Sequence, residues 1–130
     1  MEDVLAASRF ASLLGLRLVE RSDGASRVEL VVREEHANPR GIAHGGVLAS
    51  LMDTAAGAAI VFQPSLDGQG AVTVSLAASD LAPAKVGDVL VASARRRSPG
   101  RRIVVCDVEV TSQTGEAIAT ALVTLAAKPA

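Results

Sequence analysis

The chain has 130 residues and a formal net charge of −1, with 13 Lys and Arg against 14 Asp and Glu. That length suits one domain with its own core, 1–130, and the balanced charge gives no phosphate-neutralising surface. Two Phe, no Tyr and no Trp leave no base-stacking platform, so nucleic acid is not an expected partner.

The acidic start, Met1-Glu2-Asp3, lacks the basic and apolar regions of a signal peptide. No apolar run reaches about 18 residues without a polar interruption, so no membrane span is expected. One cysteine, Cys106, excludes an internal disulfide and fits a reducing cytoplasm. His36 and His44 are the only histidines, too few for a His/Cys metal cluster, and no metal site is expected.

Glu2 to Leu14 carries Val4, Leu5, Phe10, Leu13 and Leu14 and reads as a short helix stopped by Gly15. Leu16 to Arg21 and Ser26 to Arg33 have strand alternation, the second with Val28, Leu30 and Val32 on one face, and Ser22-Asp23-Gly24 is the turn between them. Asn38 to Ala43 is a loop, because Pro39 and Gly41 each resist a regular element. From His44 to Val61 the residues are those of a helix, dominated by Ala, Leu and Met. Its polar or small residues Ser50, Asp53, Thr54 and Gly57 recur at i, i+3, i+4 and i+7 and make one narrow stripe. A helix apolar on nearly every other side is buried by the rest of the chain.

Gln63 to Gly70 is a loop. Ala71 to Ser79 reads as a strand, with Val72, Val74 and Leu76 on one face and Thr73, Ser75 and Ala77 on the other. Ala82-Pro83-Ala84-Lys85 interrupts it. Asp88 to Arg97, Arg102 to Thr111 and Ala117 to Ala127 are strands joined by short turns at Ser98-Pro99-Gly100 and Gln113 to Glu116, an antiparallel meander. The sum is α+β: two helices, one of them central, wrapped by about six mostly antiparallel strands.

Asn38-x-x-Gly41-x-x-His44-Gly45-Gly46, with Asp53 nine positions beyond His44, resembles the active-site signature of the PaaI-type acyl-CoA thioesterases. Val72-Thr73-Val74-Ser75 and then Leu81 to Asp88 are similar to that family's next strand and turn, so the resemblance covers about Asn38 to Asp88. It implies a hotdog fold, in which a curved antiparallel sheet wraps the central helix. It also implies hydrolysis of an aryl- or acyl-CoA to free acid and CoA, with no cofactor beyond the coenzyme A of the substrate. By the same resemblance Gly45 and Asn38 hold the thioester oxygen, Asp53 is general base or nucleophile, and Thr73 stands where a Ser or Thr orients the water.

These residue types suit that chemistry. The first turn of a helix has unpaired N–H groups and the positive end of the macrodipole. Gly45 and Gly46 let a carbonyl approach those groups without an intervening side chain, and Asn38 on the preceding loop has an amide N–H to add. His44 reads as a helix-start residue, or one lining the site, more readily than as a base. Gly46 and Asp53 lie about 10 Å apart along a helix axis at 1.5 Å per residue, whereas a polarised and attacked carbonyl spans roughly 7 Å. That geometry is strained within one chain and relaxed if Asp53 comes from a second copy, so a homodimer or homotetramer with composite sites is expected.

Alternatives stand beside this reading. Ser50, Asp53 and Thr54 also fit a solvated helix stripe, Asn38 before Pro39 is a good turn residue, Thr73 has ordinary strand propensity, and Cys106 among valines is a small buried hydrophobe. Arg95, Arg96, Arg97, Arg101 and Arg102 flank a hairpin tip that is either solvated or grips coenzyme A phosphates. Arg96, Arg101, Arg102 and Lys85 are the candidates for that grip. A hotdog hydratase or dehydratase would want a His with a carboxylate at the reacting carbon, which His44 before Gly-Gly fits poorly. A non-catalytic acyl-CoA-binding module would not need Asp53.

Overall fold

The computed structural model of the chain describes residues 5–60, 71–97 and 102–127, the last residue by its backbone alone. Helix α1, Arg9–Leu14, starts where the Ser8 hydroxyl accepts the Ala11 N–H at 3.1 Å and stops at Gly15, whose φ of 79° is the left-handed conformation a glycine takes without strain. It is shorter than the expected Glu2 to Leu14, because the Ser8 cap starts it at Arg9; residues 1–4 lie outside the described part. Strands β1, Arg17–Ser22, and β2, Ala25–Val31, form the expected hairpin. A single 3-10 turn, Glu34–His36, follows and was not anticipated.

Helix α2 runs Gly45–Ile60, and Leu48, Leu51, Met52, Ala55, Ala56, Ala58, Ala59 and Ile60 are buried. The nearly all-round apolar sequence is therefore matched by burial on nearly all sides. Ser50, Asp53, Thr54 and Gly57, the expected stripe, are half-buried, as are Val47 and Ala49, and Gly45 and Gly46 at the helix start are exposed. Small residues bring the helix close to the sheet: the buried Ser26 hydroxyl donates to the Ala55 carbonyl at 2.6 Å, which satisfies a polar group that water does not reach. Truncating the fully buried Leu51 or Met52 to Ala would cost about 2–5 kcal/mol, the usual range for core cavities.

Strands β3, Ala71–Asp80, β4, Val89–Arg96, β5, Ile103–Ser112, and β6, Ala117–Ala127, complete one antiparallel sheet of order β1-β2-β4-β5-β6-β3. The meander of β4, β5 and β6 is as expected. Val104, Cys106, Val108 and Val110 on β5 face the helix with Leu90, Ala92 and Ala94 on β4, and all are buried. Strand β3 ends up at an edge, paired only to β6, and Val72 and Val74 are 46% and 61% exposed there. The simple alternation expected for this strand fails. Pairing slips between Thr73 and Ser75, so Val74 is an extra residue, and the bulge turns Thr73 to the same side as Leu76.

Candidate active site

The loop from Ala37 to His44 is a small hairpin. Asn38 N–H donates to the Ile42 carbonyl at 2.8 Å, Ala37 bridges Ala43, and His44 N–H donates to the His36 carbonyl at 2.8 Å. Gly41 makes its tip possible, with φ 79°. The hairpin is backed by the segment after β3, because Ala43 N–H donates to the Ala84 carbonyl at 2.7 Å and Ile42 bridges Lys85. These bonds put Asn38 beside the first residue of α2.

The Asn38 amide is oriented by its own loop. Its Oδ1 accepts the Arg40 N–H at 2.9 Å and the Ile42 N–H at 3.4 Å, so the Nδ2 end is turned away from them. At the helix start the His44 imidazole Nδ1 accepts the Gly46 N–H at 2.8 Å, and the His44 carbonyl accepts from Val47 and Leu48. His44 is thus the N-cap of α2, and its Nδ1 lone pair is committed there. Among the described residues, the Gly45 N–H and Asn38 Nδ2 have no acceptor. Both line a cleft of about 330 Å³ with Ile42, Leu48, Asp80 and Leu81.

The glycine pair has a packing reason besides ligand access. A Cβ on Gly45 would stand 3.2 Å from Asp80 Oδ2, and one on Gly46 3.1 Å from His44 Nδ1. Asp80 is the residue missed in the sequence. Its carboxylate faces the positive end of α2, and its only sequence signal is its place just before Leu81-Ala82-Pro83.

Asp53 lies eight residues further along the helix, about 12 Å from Gly45 at 1.5 Å per residue. The Thr73 hydroxyl donates to its Oδ1 at 2.5 Å, a length typical of a hydroxyl bound to a carboxylate. The two line a second depression of about 320 Å³ with Ala49, Ser50 and Leu76. One chain therefore carries two half-sites, donors without an acceptor and a carboxylate held by a hydroxyl, and does not bring them together.

The basic candidates divide in the same way. Lys85 is exposed beside the Asn38 loop, with its N–H bound to Asp88 Oδ2 at 2.8 Å. Arg96 lies at the other end of the helix: its N–H donates to the Gly24 carbonyl, and the Gly24 N–H to the carbonyl of Ala59. Exposed Arg102 adjoins β5, whose Ile103 is linked through Ala126 of β6 to Val72 of β3, on the Thr73 side. Arg101 lies outside the described residues. Arg97 is held bidentately by Asp107 at 3.1 and 2.8 Å. A charged depression lined by Glu20, Arg27, Arg95, Asp107 and Glu109 lies on the outer face of the sheet, remote from both half-sites. Cys106 is fully buried and burial pushes its thiol up to about 11, so it is no nucleophile. Among the described residues no group of His, Cys, Asp and Glu is placed to hold a metal ion, and no helix is long and apolar enough to cross a membrane.

A strand-loop-helix unit with free donors at the helix start, wrapped by six antiparallel strands, defines a hotdog-fold protein. Residues 40–119 match the thioesterase superfamily. The acyl-coenzyme A thioesterase PaaI of Escherichia coli K12 is 32% identical over 109 residues, 84% of this chain and 75% of PaaI. The solved E. coli PaaI superposes with a TM-score of 0.87 at 28% identity, covering 95% of this chain and 86% of that one. Human acyl-coenzyme A thioesterase 13 is 32% identical over 115 residues, 87% of this chain and 81% of its own. A hypothetical thioesterase of Streptococcus pneumoniae, solved with coenzyme A, superposes with a TM-score of 0.81 at 28% identity over 87% of this chain and 85% of its own. It has also been solved with an aspartate, and separately a threonine, replaced by alanine. The chain belongs to the thioesterase superfamily, as a hotdog-fold protein of the PaaI type.

Proposed function

We propose that this protein is an acyl-CoA thioesterase, hydrolysing an aryl- or acyl-CoA to the free acid and coenzyme A in composite sites of a homodimer or homotetramer. The observation that carries the reading is the complementarity of the two half-sites. Gly45 N–H and Asn38 Nδ2 are two donors awaiting one oxygen, and Asp53, fixed by Thr73, is a carboxylate with its second oxygen free of protein donors among the described residues. The 12 Å or so between them along one helix exceeds the roughly 7 Å that a polarised and attacked carbonyl spans. A second copy related by a two-fold axis supplies the missing half to each site. The exposed edge of β3, with Val72 and Val74, gives an apolar surface for that pairing.

In the composite site the thioester oxygen sits on the two donors, which gain strength as negative charge develops on it. Asp53 of the other copy takes a proton from water while the water oxygen attacks the carbonyl carbon. As an alternative role it attacks that carbon itself, and water then hydrolyses the anhydride. The C–S bond breaks, and the coenzyme A thiolate leaves and is protonated. No cofactor is needed for these steps. Lys85 and Arg102, with Arg96 and Arg101, are the cations offered to the phosphates of coenzyme A. The coenzyme A solved with the Streptococcus pneumoniae neighbour supports a coenzyme A thioester as the substrate class.

The test is Asp53→Asn, which keeps the shape and removes the charge. Loss of a general base lowers the rate about 10²- to 10⁴-fold, and the expected variant is folded by thermal melt, dimeric and nearly inactive in a thiol-release assay. A folded Asp53→Asn as active as wild type would remove Asp53 from the mechanism. A wild type that binds acyl-CoA and releases no thiol would make the protein a binding module.

A further inference from the structure

His36 takes no part in the chemistry above, yet with Ser26 it is one of two buried polar side chains among the described residues, at 2% exposure. The Arg33 N–H donates to its Nδ1 at 2.8 Å, so that nitrogen carries a lone pair and the proton sits on Nε2. Nε2 donates to the Leu14 carbonyl at 2.8 Å, on the last residue of α1. The Arg33 guanidinium closes the same corner, with Nη2 donating to the Leu13 carbonyl at 3.1 Å and lying 3.3 Å from His36 Nε2. One rigid ring therefore caps the 3-10 turn on one side and fastens it to the end of α1 on the other.

The main chain of the same residue is the base of the active-site hairpin. The His36 carbonyl accepts the His44 N–H at 2.8 Å. Asn38 follows His36 by two residues and Gly45 follows His44 by one, so this bond closes the base of the hairpin that carries one donor and leads into the other. We propose that His36 is a positioning residue: by locking the turn to α1 it sets the separation of Asn38 Nδ2 from the Gly45 N–H. This rests on the thioesterase reading for its consequence in catalysis, but not for the lock itself. The requirement is specific, because the buried corner needs an acceptor and a donor on opposite edges of one rigid group. Asn supplies the acceptor near Nδ1 and Gln reaches the position of Nε2, but neither does both.

The experiment compares wild type with His36→Ala, His36→Asn and His36→Gln. It uses amide hydrogen exchange, and kcat and KM on an acyl-CoA that wild type turns over. In His36→Ala the amides of Asn38 and His44 are expected to exchange at least about tenfold faster while those inside α2 keep their protection. The kcat falls at least about tenfold with KM within about twofold, the signature of misplaced donors, since small displacements in a site are costly. His36→Asn restores part of both. If His36→Ala fails to fold, the Asn and Gln variants carry the comparison. Unchanged loop exchange overturns the proposal, and so does a protection loss spread evenly over sheet and helix, or faster loop exchange with unaltered kcat. A wild type without thioesterase activity fails the functional reading instead, and the exchange measurement alone then decides whether His36 is the lock.

Discussion

Thr73 and Asp53, twenty residues apart, are joined by a 2.5 Å hydrogen bond from hydroxyl to carboxylate. The bond exists because β3 slips its register beside Thr73, at Val74, which turns the threonine toward the helix. Thr73 also reads as an ordinary β-branched strand residue, and that description fits its backbone but not its side chain.

Thr73→Ser keeps the hydroxyl and should hold kcat within a few-fold. Thr73→Ala removes a hydrogen bond to a charged group, worth about 1.5–3 kcal/mol, so a loss of roughly 10- to 100-fold in kcat is expected. Steady-state kinetics on one acyl-CoA checks this, and equal rates for the Ser and Ala variants would show that the hydroxyl does not matter.

Composite sites predict complementation. Asn38→Ala and Asp53→Asn should each be nearly inactive alone. Refolded together in equal amounts, they form mixed dimers with one intact site. Random assortment then returns about a quarter of wild-type activity. A mixture no more active than its components would mean that both half-sites serve within one chain.

Acid should weaken the support behind the active-site loop. Hydrogen bonds from the Gln113 side chain and then the Lys85 N–H, at 3.0 and 2.8 Å, with Lys85 charge besides, hold Asp88 below its ordinary value of 3.8. A carboxyl lowered on folding adds stability above its unfolded value, and that stability is lost as pH falls through the lowered folded value. Gln113→Ala should therefore be less stable than wild type at about pH 7 and fall short by less in acid, by urea denaturation, because the bond from the Val89 N–H to Gln113 Oε1 at 3.0 Å is lost at either pH. A difference unchanged between about pH 7 and acid would assign the whole Gln113 contribution to the Val89 bond and packing.

Local chemistry was enough for much of this protein. Gly15 ends α1, Gly24 and Gly115 with positive φ make two turns, and alternation marks β4, β5 and β6 because each has one buried face. The apolar sequence of α2 demands burial wherever the chain leads, so a central helix follows from composition alone. The spacing from Asn38 to Asp53 marks the candidate site residues, but not their distances. What the tertiary structure decided depends on partners remote in sequence. The strand order leaves β3 at an edge, the slip at Val74 aims Thr73 at Asp53, and Asp80 comes to rest against Gly45. His36, unremarkable among glutamates in the sequence, becomes a buried tie to Leu14. Periodicity reports which face of an element is apolar, and it carries no record of which hydrogen bonds close between elements once those faces meet.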